Sequence, residues 1–129
     1  MTKVTKKAIQ TDKAPVPTGP FNQAICVGNL VFTAGQAGRN RETGMMGDIR
    51  EQTEWALKNI QGILEEAGSS MAEVVKCTVY LKSGTDTKPL NEEWVKYFPE
   101  PLPARSSLFV SHLKNPEMLI EVEAVAVIS

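Results

Sequence analysis

Leu119-Ile120-Glu121-Val122-Glu123-Ala124-Val125-Ala126-Val127-Ile128 closes the chain, and its reading decides the fold. Side chains along a strand alternate between two faces. Ile120, Val122, Ala124 and Ala126 therefore line one face, and Glu121, Glu123, Val125 and Val127 the other. The first face is wholly apolar. The second is apolar too, apart from its two carboxylates. A strand apolar on both sides belongs within a sheet that is covered on both sides.

Upstream of it, Asp48 to Ala67 reads as the clearest helix. Ile49, Thr53, Ala56, Ile60, Ile63, Leu64 and Ala67 form one stripe at helical period. Asp48 and Glu51 have capping-box spacing, and Gly68 is a C-terminal stop. Val74 to Leu81 reads as a strand. A shorter helix spans Pro89 to Phe98, with Pro89 in its first turn and Leu90, Trp94, Tyr97 and Phe98 as its apolar stripe. Ala104 to Ser111 and Leu119 to Ile128 are the last two strands.

Toward the start, Lys3 to Ile9 is a weak first strand, and Thr11 to Pro20 is a loop rich in proline and glycine. Gln23 to Val27 and Leu30 to Ala34 flank Gly28-Asn29, which suits a type II′ hairpin. Asn40 to Gly47 is a second loop. The order is β-β-β-α-β-α-β-β, an α+β two-layer sandwich, expected as a single domain over residues 1–129. Two helices cover only one face of a sheet. The other face, apolar at the last strand, is expected to pack on another subunit, because large exposed apolar patches are rare on monomers.

At 129 residues and a net charge of −1 the chain has the length of one ordinary domain. It carries no overall field to attract nucleic acid or anionic lipid. Lys3, Lys6, Lys7 and Lys13 gather at the start, as on an edge strand protected from pairing. No apolar run is long enough to span a bilayer, and the N-terminus lacks an apolar signal core. A cytoplasmic protein with no membrane association is expected. Cys26 and Cys77 stand alone in strand-like runs and read as buried thiols of a reducing compartment. The single histidine, His112, is far in sequence from both, so neither a metal site nor another cofactor is expected.

The candidate chemistry centres on Pro103-Ala104-Arg105-Ser106-Ser107-Leu108-Phe109-Val110. Arg105 stands where a strand-buried apolar residue is expected, and no acid lies nearby in sequence. A guanidinium there is costly to desolvate unless an anion meets it. Glu121, expected on a neighbouring strand, could be its structural ion partner. Alternatively the two grip a small carboxylate and position a water. Gly35 ends the hairpin's second strand, where a missing side chain allows either a close ligand approach or a bulge. Asn91, early on the second helix, is a possible ligand contact or a surface residue. No hydrolase triad, nucleophile elbow or phosphate-binding glycine motif is present.

At these residues the chain resembles the Rid family, the reactive intermediate deaminases also called YjgF or L-PSP proteins. The similarity runs through Gly19-Pro20-Phe21-Asn22-Gln23-Ala24, Thr33-Ala34-Gly35-Gln36, Ala56-Leu57-Lys58-Asn59-Ile60, Val74-Val75-Lys76-Cys77-Thr78-Val79 and Asn91-Glu92-Glu93-Trp94. Its most specific blocks are Pro103-Ala104-Arg105-Ser106 and Ile120-Glu121-Val122-Glu123-Ala124-Val125-Ala126. The resemblance implies a chorismate-mutase-like fold and a homotrimer with clefts between subunits. It implies hydrolysis of 2-imino acids such as 2-iminopropanoate and 2-iminobutanoate, or their enamine tautomers, to 2-oxo acids and ammonia. It puts the carboxylate-binding arginine at Arg105, the water-orienting glutamate at Glu121, the cleft-lining glycine at Gly35 and the helix asparagine at Asn91. Three positions depart from the common pattern: Phe21 replaces a tyrosine, Ala34 a serine and Ser107 a cysteine. The first two remove hydroxyls from around the ligand, while Ser107 keeps a small polar group and its backbone N–H.

Two other functions compete. One is a trimer that binds small carboxylates without turning them over, acting as a sensor or interaction protein; the lost hydroxyls favour it. The other is ribonuclease or translation-inhibitor activity, against which stand the near-neutral charge and the absence of a basic stripe with stacking aromatics.

Overall fold

The computed structural model describes residues 4–129. Its strands are β1 (Lys6–Ile9), β2 (Ala24–Val27), β3 (Leu30–Thr33), β4 (Gln36–Ala37), β5 (Val74–Lys82), β6 (Ala104–Val110) and β7 (Ile120–Val127), and its helices α1 (Ile49–Glu66) and α2 (Lys88–Trp94). They form one sheet in the order β1-β2-β3-β7-β5-β6, with β4 also pairing β7. The last strand in sequence is thus a central strand in space. Its β3 and β5 neighbours both run antiparallel to it. Only β5 and β6 are parallel, as their connection through α2 requires.

Burial along β7 alternates strictly: Ile120, Val122, Ala124 and Ala126 are buried, and the residues between them half-buried. The buried set meets α1, whose Leu57, Ile60, Ile63 and Leu64 are fully inaccessible. Burying each such side chain contributes about 1.5–3 kcal/mol. The α1 ends are as expected. Asp48 accepts from the Glu51 N–H at 2.9 Å, and the Glu51 carboxylate accepts from the Asp48 N–H at 3.3 Å. At the other end the Ser69 N–H reaches the Leu64 carbonyl and the Gly68 N–H the Glu65 carbonyl. Gly68 has φ +84, so this is a Schellman stop. The Gly28-Asn29 turn has φ +58 at Gly28 only, with Val27 paired to Leu30, consistent with type II′.

Several expectations need correction. β6 is an edge strand, exposed along all but its last residue, so Arg105 does not occupy a buried place. β6 and β7 are not neighbours, because β5 lies between them. The second helix stops at Trp94 rather than Phe98. Pro99 biases Phe98 away from helical geometry, and the chain tightens first: the Lys96 and Tyr97 N–H groups reach back three residues, to Glu93 and Trp94. β6 ends at Val110 and β7 at Val127, each one residue short of expectation at its C-terminus. Gln23 lies outside β2, buried as a loop anchor whose amide bonds the carbonyls of Thr11, Ala14 and Pro15. Two short elements have no counterpart in the sequence pattern, β4 and a 3-10 turn at Met71–Glu73. In β1, Lys6 and Lys7 are exposed on the sheet's other edge. The expected start of that strand at Lys3 lies outside the described residues.

No helix among the described residues is long and apolar enough to cross a membrane. The sheet face opposite the helices stays uncovered in the single chain. Phe32 and Leu108, each 42% exposed, lie on it.

Candidate active site

The sheet register divides the expected site residues into two groups on opposite faces. Paired residues of neighbouring strands share a face. Arg105 pairs with Cys77, which pairs on its other side with Ala124. Both partners are buried, so Arg105 lies on the helix-bearing face. Ser107 pairs with Val79 and shares that face. Glu121 pairs with Tyr80, on the uncovered face. Within one chain Arg105 and Glu121 cannot form an ion pair. Among the described residues no carboxylate lies within salt-bridge distance of Arg105.

Arg105 is held from below. Its Nη2 donates to Asn91 Oδ1 at 2.8 Å, and its guanidinium lies 4.8 Å from the centre of the Trp94 ring. Trp94 rests on Phe98, ring centres 4.9 Å apart. Asn91 and Trp94 are three residues apart on α2 and therefore share a helix face. One bond and one stacking contact leave most of the five guanidinium donors free. Desolvation lowers the Arg105 pKa and Cys77 opposes the shift, yet an arginine stays charged. Burial pushes the Cys77 thiol up to about 12, with Arg105 and Lys76 acting against it. It remains a thiol and supplies no nucleophile at neutral pH.

The second group surrounds a pocket of about 420 Å³. Phe21, Ala34, Gly35 and Glu121 line it; Asn91, Arg105 and Ser107 do not. The pocket forms beside a break in the sheet. Between the pairs Phe32 with Val125 and Gln36 with Val122, the β3–β4 side carries three residues and β7 two. This is a bulge. Thr33 bridges it by accepting from the Ala124 N–H through Oγ1 at 3.0 Å. At Gly35 a Cβ would collide with the Glu121 carboxylate. Of its two expected roles, Gly35 takes the bulge, and its missing side chain leaves the space that the Glu121 carboxylate occupies.

Glu121 is half-buried. Burial raises its pKa above the ordinary carboxylate range, Glu123 adds to the rise, and Lys114 opposes it. Glu123 lies on the same face and accepts from the Tyr80 hydroxyl at 3.2 Å. A half-dry carboxylate at a pocket wall suits proton transfer to or from a bound water.

Three features at the site were not assigned there from sequence: Trp94 beneath Arg105, Lys114 beside Glu121, and Met118 in the pocket wall. Trp94 was placed only in an apolar stripe, although its spacing from Asn91 is a signal for a shared face. Lys114 and Met118 come from an irregular loop, where spacing predicts nothing. No cluster of histidine, cysteine or acidic side chains suited to a metal occurs among the described residues.

Known proteins share this architecture. The family profile described as Endoribonuclease L-PSP matches residues 11–128. A RutC family protein of Pyrococcus abyssi is 50% identical over 95% of this chain and 98% of its own length. A Dermatophagoides farinae protein named 2-iminobutanoate/2-iminopropanoate deaminase is 37% identical over 95% and 97%. The crystal structure of E. coli TdcF with bound serine superposes with a TM-score of 0.89, at 34% identity, covering 95% of this chain and 99% of that one. With the matched profile spanning most of the chain, relatives above 30% identity covered almost end to end, and the fold shared with solved structures, the chain belongs to the Rid/YjgF/L-PSP family.

Proposed function

We propose that the chain hydrolyses 2-imino acids to 2-oxo acids and ammonia, at clefts formed between copies of itself. One observation carries the reading: Arg105 and Glu121 lie on opposite faces of the sheet, so a single chain does not bring them to a common ligand. A site using both draws Arg105, Asn91 and Ser107 from one copy and Phe21, Ala34, Gly35 and Glu121 from the next. The uncovered, half-apolar sheet face supplies the surface for such an assembly. A ring of three copies, the family's arrangement, closes it with one repeated heterologous interface.

The chemistry follows from the groups. Arg105 takes the substrate carboxylate in a two-bond fork. Glu121 accepts a proton from a water as its oxygen attacks C2 of the imine. The C=N bond becomes a C–N single bond with the proton-bearing nitrogen as an amine. Glu121 returns its proton to that nitrogen and then takes the C2 hydroxyl proton as the C–N bond breaks, so that ammonia leaves, the C2 oxygen becomes the carbonyl, and Glu121 passes the last proton to the departing ammonia or to solvent. An enamine substrate first takes a proton at C3 to become the imine. No redox step and no cofactor enter this balance. Imines hydrolyse unaided in water, so positioning supplies the rate.

The relative named 2-iminobutanoate/2-iminopropanoate deaminase supports this reading, and the TdcF structure with bound serine supports capture of a small amino-acid-like carboxylate. Phe21 and Ala34, which bring no hydroxyl to the pocket, favour the second reading, a carboxylate binder without turnover. The discriminating experiment generates 2-iminopropanoate or 2-iminobutanoate with an amino-acid oxidase or dehydratase and follows its loss with and without the protein. Faster loss is expected. Tight 2-oxo acid binding with no acceleration would leave the binder.

A further inference from the structure

Arg105 stands on the edge strand β6, whose only neighbour in the sheet is β5. The sheet therefore leaves its long side chain open, and α2 supplies the support. That helix has seven residues, and no side chain caps its N-terminus. A helix so short has little stability of its own, so its contacts decide how it sits. Leu90 and Trp94 bury its apolar side, but apolar burial is non-directional and sets the rotation only loosely. The polar contacts lie elsewhere. At about 100° per residue, and taken as pairs, Glu92 and Glu93 lie on the side of α2 opposite Asn91 and Trp94. Arg50 of α1 reaches both, with Nη2 2.6 Å from Glu92 and Nη1 3.9 Å from Glu93. The Arg50–Glu92 pair is half exposed and contributes little to stability. Glu93 differs. It is 5% exposed, and Lys96 Nζ donates to it at 2.9 Å. Tyr97 adjoins it: burial, and then Glu93, push that hydroxyl's pKa up to about 12. For a buried, paired acid, desolvation offsets most of the attraction, and an apolar residue of similar size serves stability as well. An ion pair adds what an apolar residue does not, a fixed direction.

We infer that Glu93 is a positioning residue for the carboxylate anchor: held by Arg50 and Lys96, it fixes the rotation of α2 and so places Asn91 and Trp94 beneath Arg105. The inference rests on the reading of Arg105 as the anchor for a ligand carboxylate and goes beyond it, because Glu93 acts from the far side of the helix. The chain of contacts is continuous. It runs from Arg50 on α1 to Glu92 and Glu93, across α2 to Asn91 and Trp94, and from these to the guanidinium. Its effect is on affinity. Arg105 meets a carboxylate as a planar fork, and a fork free to swing loses part of that interaction with substrate and product alike. Losing binding equally in ground and transition states raises KM and leaves kcat in place.

The test does not depend on turnover. Calorimetry measures the Kd of pyruvate for the wild type, Glu93→Gln and Arg50→Met, the last a change at an exposed residue that leaves Glu93 paired with Lys96. The kcat and KM for 2-iminopropanoate are read in parallel. Residues that act on a ligand without touching it shift binding by about three- to thirtyfold. Kd and KM are expected to rise within that range in Glu93→Gln and by less in Arg50→Met, with kcat near the parent value. In Arg105→Lys, which has no fork to aim, adding Glu93→Gln should change Kd little further. A purely structural role would lower the folded fraction and leave Kd per folded chain as in the wild type. Unchanged Kd in both variants overturns the inference, and so does a loss of equal size in the wild-type and Arg105→Lys backgrounds. If Glu93→Gln fails to fold, Arg50→Met decides alone. If pyruvate binds and no imine is hydrolysed, the hydrolase reading fails by itself and the Kd series still decides the role of Glu93. If pyruvate does not bind the wild-type protein, the anchor and the inference fall together.

Discussion

Lysine would keep the charge of Arg105 but not its shape. Arg105 is bonded to Asn91 and its guanidinium carbon sits over the Trp94 ring, an arrangement a flexible ammonium cannot reproduce. Arg105→Lys should therefore fold normally and lose activity. One charge-assisted bond is worth about 1.5–3 kcal/mol, so steady-state kinetics should register a loss of roughly ten- to a hundredfold. A folded variant with full activity would remove the arginine from the mechanism. Glu121 makes a prediction in pH. A general base works deprotonated, and burial raises this carboxyl. The acidic limb of the rate profile should lie above the ordinary carboxylate range and vanish with the activity in Glu121→Gln. Stability has the opposite sign. A raised carboxyl pKa favours the protonated folded state, a contribution present at low pH and lost as pH rises through that pKa. Glu121→Gln should thus be slower yet at least as stable to denaturant at neutral pH. Residue type and local pattern single out both residues in the sequence. Their placement on opposite faces is not legible there, because it depends on β5 lying between two strands that sequence order makes adjacent.

At the level of elements, most boundaries follow from local physics. The α1 helix announces itself by its apolar stripe, its Asp48–Glu51 box and Gly68, and all three features are in place. Removing the cap by Asp48→Ala should cost about 0.5–2 kcal/mol, measurable as a lower denaturation midpoint with the m-value unchanged. Activity per folded chain should stay as in the parent, since the cap touches neither group of site residues. What local pattern missed is equally physical. β4 has two residues, Gln36 and Ala37, and exists because β7 offers it an edge beyond the bulge. No periodicity can signal so short a segment. The α2 end at Trp94 reflects Pro99, whose effect on the preceding turn outweighs the apolar stripe through Tyr97 and Phe98. β6 looked like a buried strand because Leu108, Phe109 and Val110 are apolar. In the single chain they flank an open edge, and Phe109 is 57% exposed.

For the whole molecule, the apolar and site-bearing surfaces left open by one chain are the ones a second copy would use. The doubly apolar last strand expresses this in the sequence: its helix-facing side packs on α1, and its other side, with Val125 and Val127, adjoins exposed Phe32. The central claim is that one active site needs two chains. It is tested by mixing Arg105→Lys and Glu121→Gln subunits, each strongly impaired alone, under conditions that allow exchange. In a ring, a cleft works when its arginine comes from the Glu121→Gln chain and its glutamate from the Arg105→Lys chain. Random pairing of equal amounts produces that combination in about a quarter of clefts, so imine-hydrolase activity should return to about a quarter of the wild-type value. Mixtures that exchange subunits, confirmed by mass, and yet show no more activity than the separate variants would contradict the shared site.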